Sequence, residues 1–146
     1  MAFLSLCAGE WMTLRSQFAL TSGDEDWHSS ERSDLKVNLV PGGKGEIGGL
    51  QVTPQLGEAT TLLFAENGDL TVSSGKQDRR QGRWAFWADG SVEMSFSQNG
   101  EIQLQERICF TKPNLRLRST MVVDEEGFPK QASFCSEIRR VSKPIT

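Results

Sequence analysis

Apolar and polar residues alternate with a period of two along most of this chain. Leu62 and Phe64, Leu70 and Val72, Trp84 and Phe86, and Val92, Met94 and Phe96 stand at every second position, the spacing that puts side chains on one face of a β-strand. Between these runs lie Asn67-Gly68, Asp89-Gly90 and Asn99-Gly100, dipeptides whose residues accept the positive φ of a tight hairpin turn. Similar runs are Met12, Leu14, Phe18 and Leu20; Leu35, Val37 and Leu39; Leu50 and Val52; and Ile102, Leu104, Ile108 and Phe110. With two more near the C-terminus they predict about nine or ten short antiparallel strands joined by turns. Only Met1 to Cys7 reads as helix, ending at Ala8-Gly9. So many sequential strands leave unpaired edges unless the sheet closes, so the predicted fold is all-β, an up-and-down antiparallel β barrel. A barrel of about eight to ten strands has room for a small ligand. Three glycine-rich or charged stretches, Ser22 to Arg32, Pro41 to Gly49 and Gly75 to Gly82, read as solvated loops near its mouth.

Three strands break the simple rule of apolar inside and polar outside. In Asn114-Leu115-Arg116-Leu117-Arg118-Ser119, the two arginines share one face and the two leucines the other. Two neighbouring guanidiniums repel unless an anion stands near them. In Ala132 to Arg139, Glu137 shares a face with Ser133, Cys135 and Arg139, opposite Phe134, Ser136 and Ile138. Near the N-terminus, Trp11, Thr13, Arg15 and Gln17 oppose Met12 and Leu14. Alternation does not say which face is interior. A dry core would take the leucines; a charged ligand would take the arginines. Glu106 raises the same question, because it falls on the face of Leu104 and Ile108. A carboxylate there loses several kcal/mol of hydration unless a cation or donors meet it. Either a bulge turns it to solvent, or it pairs with Arg116, or it serves a ligand.

Composition narrows the choice. The 146 residues fit one domain, spanning 1–146, with 37% hydrophobic residues and a net charge of −3 from 16 basic and 19 acidic side chains. The basic residues are scattered, which argues against nucleic acid or an anionic membrane as partner. The apolar start is seven residues long and fits neither a signal peptide nor a membrane span. Cys7, Cys109 and Cys135 have no metal-site or disulfide spacing and do not cluster with the lone His28; no metal site and a reducing compartment follow. Cys135 reads as a buried structural thiol. A ligand matched to these faces is elongated and apolar, with two carboxylates for the arginines, whose planar forks grip carboxylates in two parallel bonds, and ring NH groups for the glutamates. A linear tetrapyrrole has that chemistry. Phe64, Trp84, Phe86 and Trp87 offer stacking surfaces, although aromatic residues on strands are commonly core.

The stretch Asn114 to Ser119, then Gly127-Phe128, then Ala132 to Arg139, resembles the signature of the S-type phycobiliprotein chromophore lyases. Ala8-Gly9-Glu10-Trp11 through Arg15, Ser33-Asp34-Leu35, Gly82-Arg83-Trp84 and Glu106-Arg107 match the same family in order. The chain differs in being shorter between Val40 and Gly82, in lacking tyrosine, and in carrying Trp84 and Phe64 where tyrosine and tryptophan are usual. The resemblance implies a barrel like those of lipocalins and fatty-acid-binding proteins, plugged at one end by the N-terminal helix. It also implies a lyase that holds an open-chain bilin, phycoerythrobilin or phycocyanobilin, noncovalently as substrate and joins it by a thioether to a cysteine of a phycobiliprotein subunit, expected to be β. No cofactor is held permanently. Glu106 and Glu137 are the expected catalytic carboxylates, one of them as a proton donor with a raised pKa. Arg15, Arg116 and Arg118 are expected to bind the bilin, with Phe64 and Trp84 stacking on it. A homodimer or heterodimer, in cyanobacterial cytoplasm or plastid stroma, completes the expectation. A noncatalytic bilin carrier, the partner subunit of a heteromeric lyase, and a fatty-acid-binding barrel are the competing readings.

Overall fold

A computed structural model describes residues 2–20, 28–75, 78–98 and 101–141. Among the described residues one helix, α1 (Ala2–Cys7), is followed by ten strands: β1 (Gly9–Ala19), β2 (His28–Val40), β3 (Glu46–Pro54), β4 (Thr60–Ala65), β5 (Asp69–Ser74), β6 (Asp78–Phe86), β7 (Val92–Gln98), β8 (Glu101–Lys112), β9 (Leu115–Val123) and β10 (Pro129–Arg139). Each strand pairs antiparallel with its sequence neighbours, and β10 pairs with β1, closing the barrel. Closure leaves no exposed edge, which is the reason an up-and-down sheet of this length persists as a discrete fold. The expected all-β barrel is therefore found. The turns at Gly68 and Gly90 carry φ values of 94° and 86°, conformations that glycine enters without a Cβ penalty. The Asn99-Gly100 turn lies outside the described residues.

Two predicted loops are strand over part of their length: His28 to Arg32 begins β2, paired with β1, and Asp78 to Gly82 begins β6, paired with β5; residues 22–27 and 76–77 of those loops lie outside the described residues. Gly48 and Gly49 likewise belong to β3 rather than to the loop before it.

The core runs through β2 to β8 and under α1. Val37, Leu50, Phe64, Leu70, Val72, Val92, Met94, Phe96 and Ile108 form one buried cluster with Phe3, Leu4, Cys7 and Trp11. Helix α1 caps one end: the Phe3 ring meets Phe86 and Phe110 edge-on at 6.2 and 5.9 Å, and Trp11 Nε1 donates to Cys7 O at 2.9 Å. A six-residue helix has little stability of its own. Tertiary contacts hold it, including the Arg139 guanidinium, which donates to the carbonyls of Leu6 and Ala8 and lies 4.3 Å from the Trp11 ring centre.

Candidate functional site

Register brings the unusual polar residues together. Thr13 stands opposite Glu137 across β1 and β10, and Glu137 opposite Arg116 across β10 and β9. The odd-numbered face of β1 and β10 and the even-numbered face of β9 point inward: Trp11, Thr13, Cys135, Glu137 and Arg116 are buried, whereas Leu14, Phe134 and Ile138 are 45%, 46% and 44% exposed. On these strands the mixed polar face is the interior.

Glu137 is the hub. Its Oε1 accepts from Arg116 Nε at 2.9 Å and lies 2.9 Å from Arg116 Nη2; its Oε2 accepts from Thr13 Oγ1 at 2.8 Å and from Arg118 Nη2 at 3.3 Å. This carboxylate is the anion that lets two guanidiniums sit on one strand face. Arg118 reaches further, with Nη1 3.4 Å from Glu106 Oε1 and Nη2 3.7 Å from Cys135 Sγ. The Arg116 guanidinium also lies 5.0 Å from the Trp11 ring centre, a cation–π arrangement. Alternating charges thus run from Arg116 through Glu137 and Arg118 to Glu106. Burial pushes the Glu137 carboxyl up, but Arg118 and Arg116, with the hydrogen bonds from Thr13 and Arg116, overcome it and hold it below its ordinary value. Burial lowers the Arg118 pKa, and Glu106 and Glu137 more than reverse that, so Arg118 stays charged. The sequence-based expectation of a raised, proton-donating Glu137 is thereby corrected: its partners are cations.

Beside this chain of charges lies a cavity of about 220 Å³. Leu50, Val52, Leu62, Val72 and Met94 give it an apolar wall, and Glu106, Arg116, Arg118 and Arg80 a charged one. Arg118 Nε has no hydrogen-bond acceptor. Of the expected site residues, Glu106, Arg116 and Arg118 line the cavity. Glu137 stands behind them, fully buried. Arg15 is offset, 3.6 Å from Glu31 Oε1 and partly exposed. Phe64 and Trp84 are not on the cavity wall; their rings meet edge-on at 5.7 Å, and Trp84 Nε1 donates to Ala65 O. Their polar and apolar needs are met within the core, which is why they pack there. Glu106 pairs with Arg118 rather than Arg116, whose reach is taken by Glu137. Arg80 fell within the charged stretch read as a loop, and Thr13 was placed on the mixed face of its strand but given no part in the site. Counting back by twos from Phe86 and Trp84 through Gly82 puts Arg80 inside, and Thr13 follows from Trp11 in the same way. Among the described residues, no group of three or more His, Cys, Asp or Glu side chains forms a metal site, and no helix is long and apolar enough to cross a membrane. All three cysteines are free thiols.

The chain is similar to known proteins. The family model described as CpeS-like protein matches residues 64–140, which hold Glu106, Arg116, Arg118 and Glu137. A chromophore lyase CpcS/CpeS 1 of Paulinella chromatophora is 44% identical over 97% of this chain and 87% of its own length. A second, from Trichodesmium erythraeum, is 27% identical over 95% of this chain and 96% of its own. The S-type phycobiliprotein lyase CPES from Guillardia theta has the same fold, with a TM-score of 0.67 at 17% identity over 97% of this chain and 93% of that one. By this sequence match, extending over nearly its whole length, the chain belongs to the CpeS-like family of chromophore lyases.

Proposed function

We propose that this lyase, acting as one domain over residues 1–146, binds a linear tetrapyrrole noncovalently in its cavity and attaches it to a cysteine of a phycobiliprotein subunit. The observation that carries the reading is the pairing of an apolar wall with Glu106 and Arg118, the latter with an Nε donor still lacking an acceptor. A buried orphan donor costs about 1–3 kcal/mol unless a partner arrives. A bilin supplies such partners: lactam and propionate oxygens for guanidinium donors, and pyrrole NH groups for a carboxylate. A fatty acid offers one carboxylate and nothing for Glu106.

The attachment is an addition. The acceptor thiolate forms a C–S bond to the exocyclic ethylidene carbon of the end ring, and the displaced π electrons take up a proton at the ring carbon, so nothing leaves. Glu106 is the carboxyl lining the cavity among the described residues, and is the group positioned to exchange that proton with the pigment. Glu137 acts through its neighbours, fixing the forks of Arg116 and Arg118. Arg15, toward β2, adds positive charge for a propionate, while Phe64 and Trp84 support the apolar wall within the same core cluster. Holding one conformer of a flexible pigment supplies much of the acceleration. The acceptor is expected to be a β subunit, the pigment phycocyanobilin or phycoerythrobilin, and the working form a homodimer or heterodimer in cyanobacterial cytoplasm or plastid stroma.

Mixing the protein with each pigment should shift and sharpen the visible absorption. Adding apo-subunits should leave colour on the subunit in a denaturing gel. Glu106→Gln should keep the pigment spectrum and lose transfer by about 10²-fold or more, the scale of a general acid. A protein that binds pigment but transfers none to any subunit is a carrier, and that result ends the lyase mechanism given above.

A further inference from the structure

We infer that Thr13 is a positioning residue for the pigment: its hydroxyl draws one oxygen of Glu137 toward β1, and so leaves the Arg118 guanidinium loosely held and able to turn its donors to a pigment oxygen. The role rests on the bilin reading above and deepens it.

The two arginines of β9 are held unequally. Arg116 Nε and Nη2 both lie 2.9 Å from Glu137 Oε1, the length of a full charge-assisted bond. The contacts of Arg118 are longer: 3.3 Å to Glu137 Oε2, 3.4 Å to Glu106 Oε1 and 3.7 Å to Cys135 Sγ, while its Nε has no acceptor. N–H···O bonds in proteins fall mostly at about 2.7–3.2 Å, so Arg118 stands just outside the range that Arg116 fills.

Register gives the reason. Thr13, Glu137 and Arg116 stand opposite one another across β1, β10 and β9, whereas Arg118 is opposite Cys135. Glu137 therefore meets Arg118 only on the diagonal, a separation of about 7–8 Å that long side chains span. With Oε1 fixed by Arg116, Oε2 lies between two donors, Thr13 Oγ1 at 2.8 Å and Arg118 Nη2 at 3.3 Å. The nearer donor sets its place. Thr13 is 1% exposed, so bulk water does not compete for that oxygen, and a hydroxyl donates to it without adding a charge to the chain of ion pairs. Without the hydroxyl, Oε2 turns to Arg118 Nη2. Arg118 then closes on Glu137 as Arg116 does, and a pigment oxygen must break a full ion pair to reach it.

Thr13→Val removes the hydroxyl at nearly constant shape, Thr13→Ser keeps it, and Thr13→Ala repeats the removal should valine disturb the fold; circular dichroism reports the barrel in each. In crystals of the pigment-free valine or alanine variant, the distance from Arg118 Nη2 to Glu137 Oε2 should shorten to about 2.9 Å. Phycocyanobilin, titrated by visible absorption, should bind that variant about three- to tenfold more weakly than wild type, the scale of one hydrogen bond. Thr13→Ser should bind like wild type. An unshortened contact overturns the inference, as does an unchanged affinity, or a loss in Thr13→Ser as large as that in Thr13→Val. A wild type that binds no phycocyanobilin removes the bilin reading itself and the inference with it, and the crystal distances tell that result from the others.

Discussion

The two halves of the barrel wall obey opposite rules. Along β3 to β7 the inward residues are mostly apolar, with Leu50, Phe64, Leu70, Val72 and Met94 buried and Arg80 of β6 the charged exception on the cavity wall, and the chain otherwise follows the ordinary alternation of a half-buried sheet. Along β9, β10 and β1 the inward residues include Arg116, Glu137 and Thr13, while Leu14, Phe134 and Ile138 face outward half-exposed. The first half would serve any small barrel. The second puts several kcal/mol of desolvation per ion into the interior, and the hydrogen bonds around Glu137 offset it. Folding alone is better served by apolar residues, so the inverted half marks where function has shaped the sequence.

Removing the hub should have the largest effect. Glu137→Ala leaves Arg116 and Arg118 buried without their shared anion and should destabilise the barrel by about 3–5 kcal/mol, read as a lowered urea midpoint; adding Arg116→Met should recover part of that loss. In the apolar half, Leu70→Ala should cost about 3 kcal/mol by cavity formation alone, with no rescue from a second change. The halves should also part on acidification. Because the Glu137 carboxyl is held below the ordinary glutamate value of 4.5, its contribution is complete above that pH and fades as pH falls through the lower folded value. Wild type should therefore lose stability in that acid window, and Glu137→Gln should show a flatter limb over the same range, whereas Leu70→Ala should keep the wild-type slope. The smallest effect is expected outside: Phe134→Ser, on the outward face, should change stability by about 1 kcal/mol or less. A loss as large as that of Leu70→Ala would mean that the outward apolar face is covered in solution.

Strand number, turns and closure were legible because hairpin dipeptides and period-two runs are local signals. The charged residues Glu106, Arg116, Arg118 and Glu137 were legible for the same reason, as violations of the pattern. Which face of β1, β9 and β10 turns inward was not, since alternation is symmetric and only pairing across the closed barrel decides it. The partner of Glu106 was missed for a related reason: the reach of Arg116 is spent on Glu137, a residue 21 positions away. Arg80 was hidden by composition. A run of charged residues reads as a solvated loop, and the strand shows itself only when parity is counted back from Trp84.

The most direct test is the crystal structure of the complex with phycocyanobilin. The account predicts pigment inside the barrel, its ring nitrogens within hydrogen-bonding distance of Glu106 and an oxygen on the Arg118 guanidinium. Pigment bound to the outer face over Leu14 and Phe134, with the interior chain of charges untouched, would contradict it.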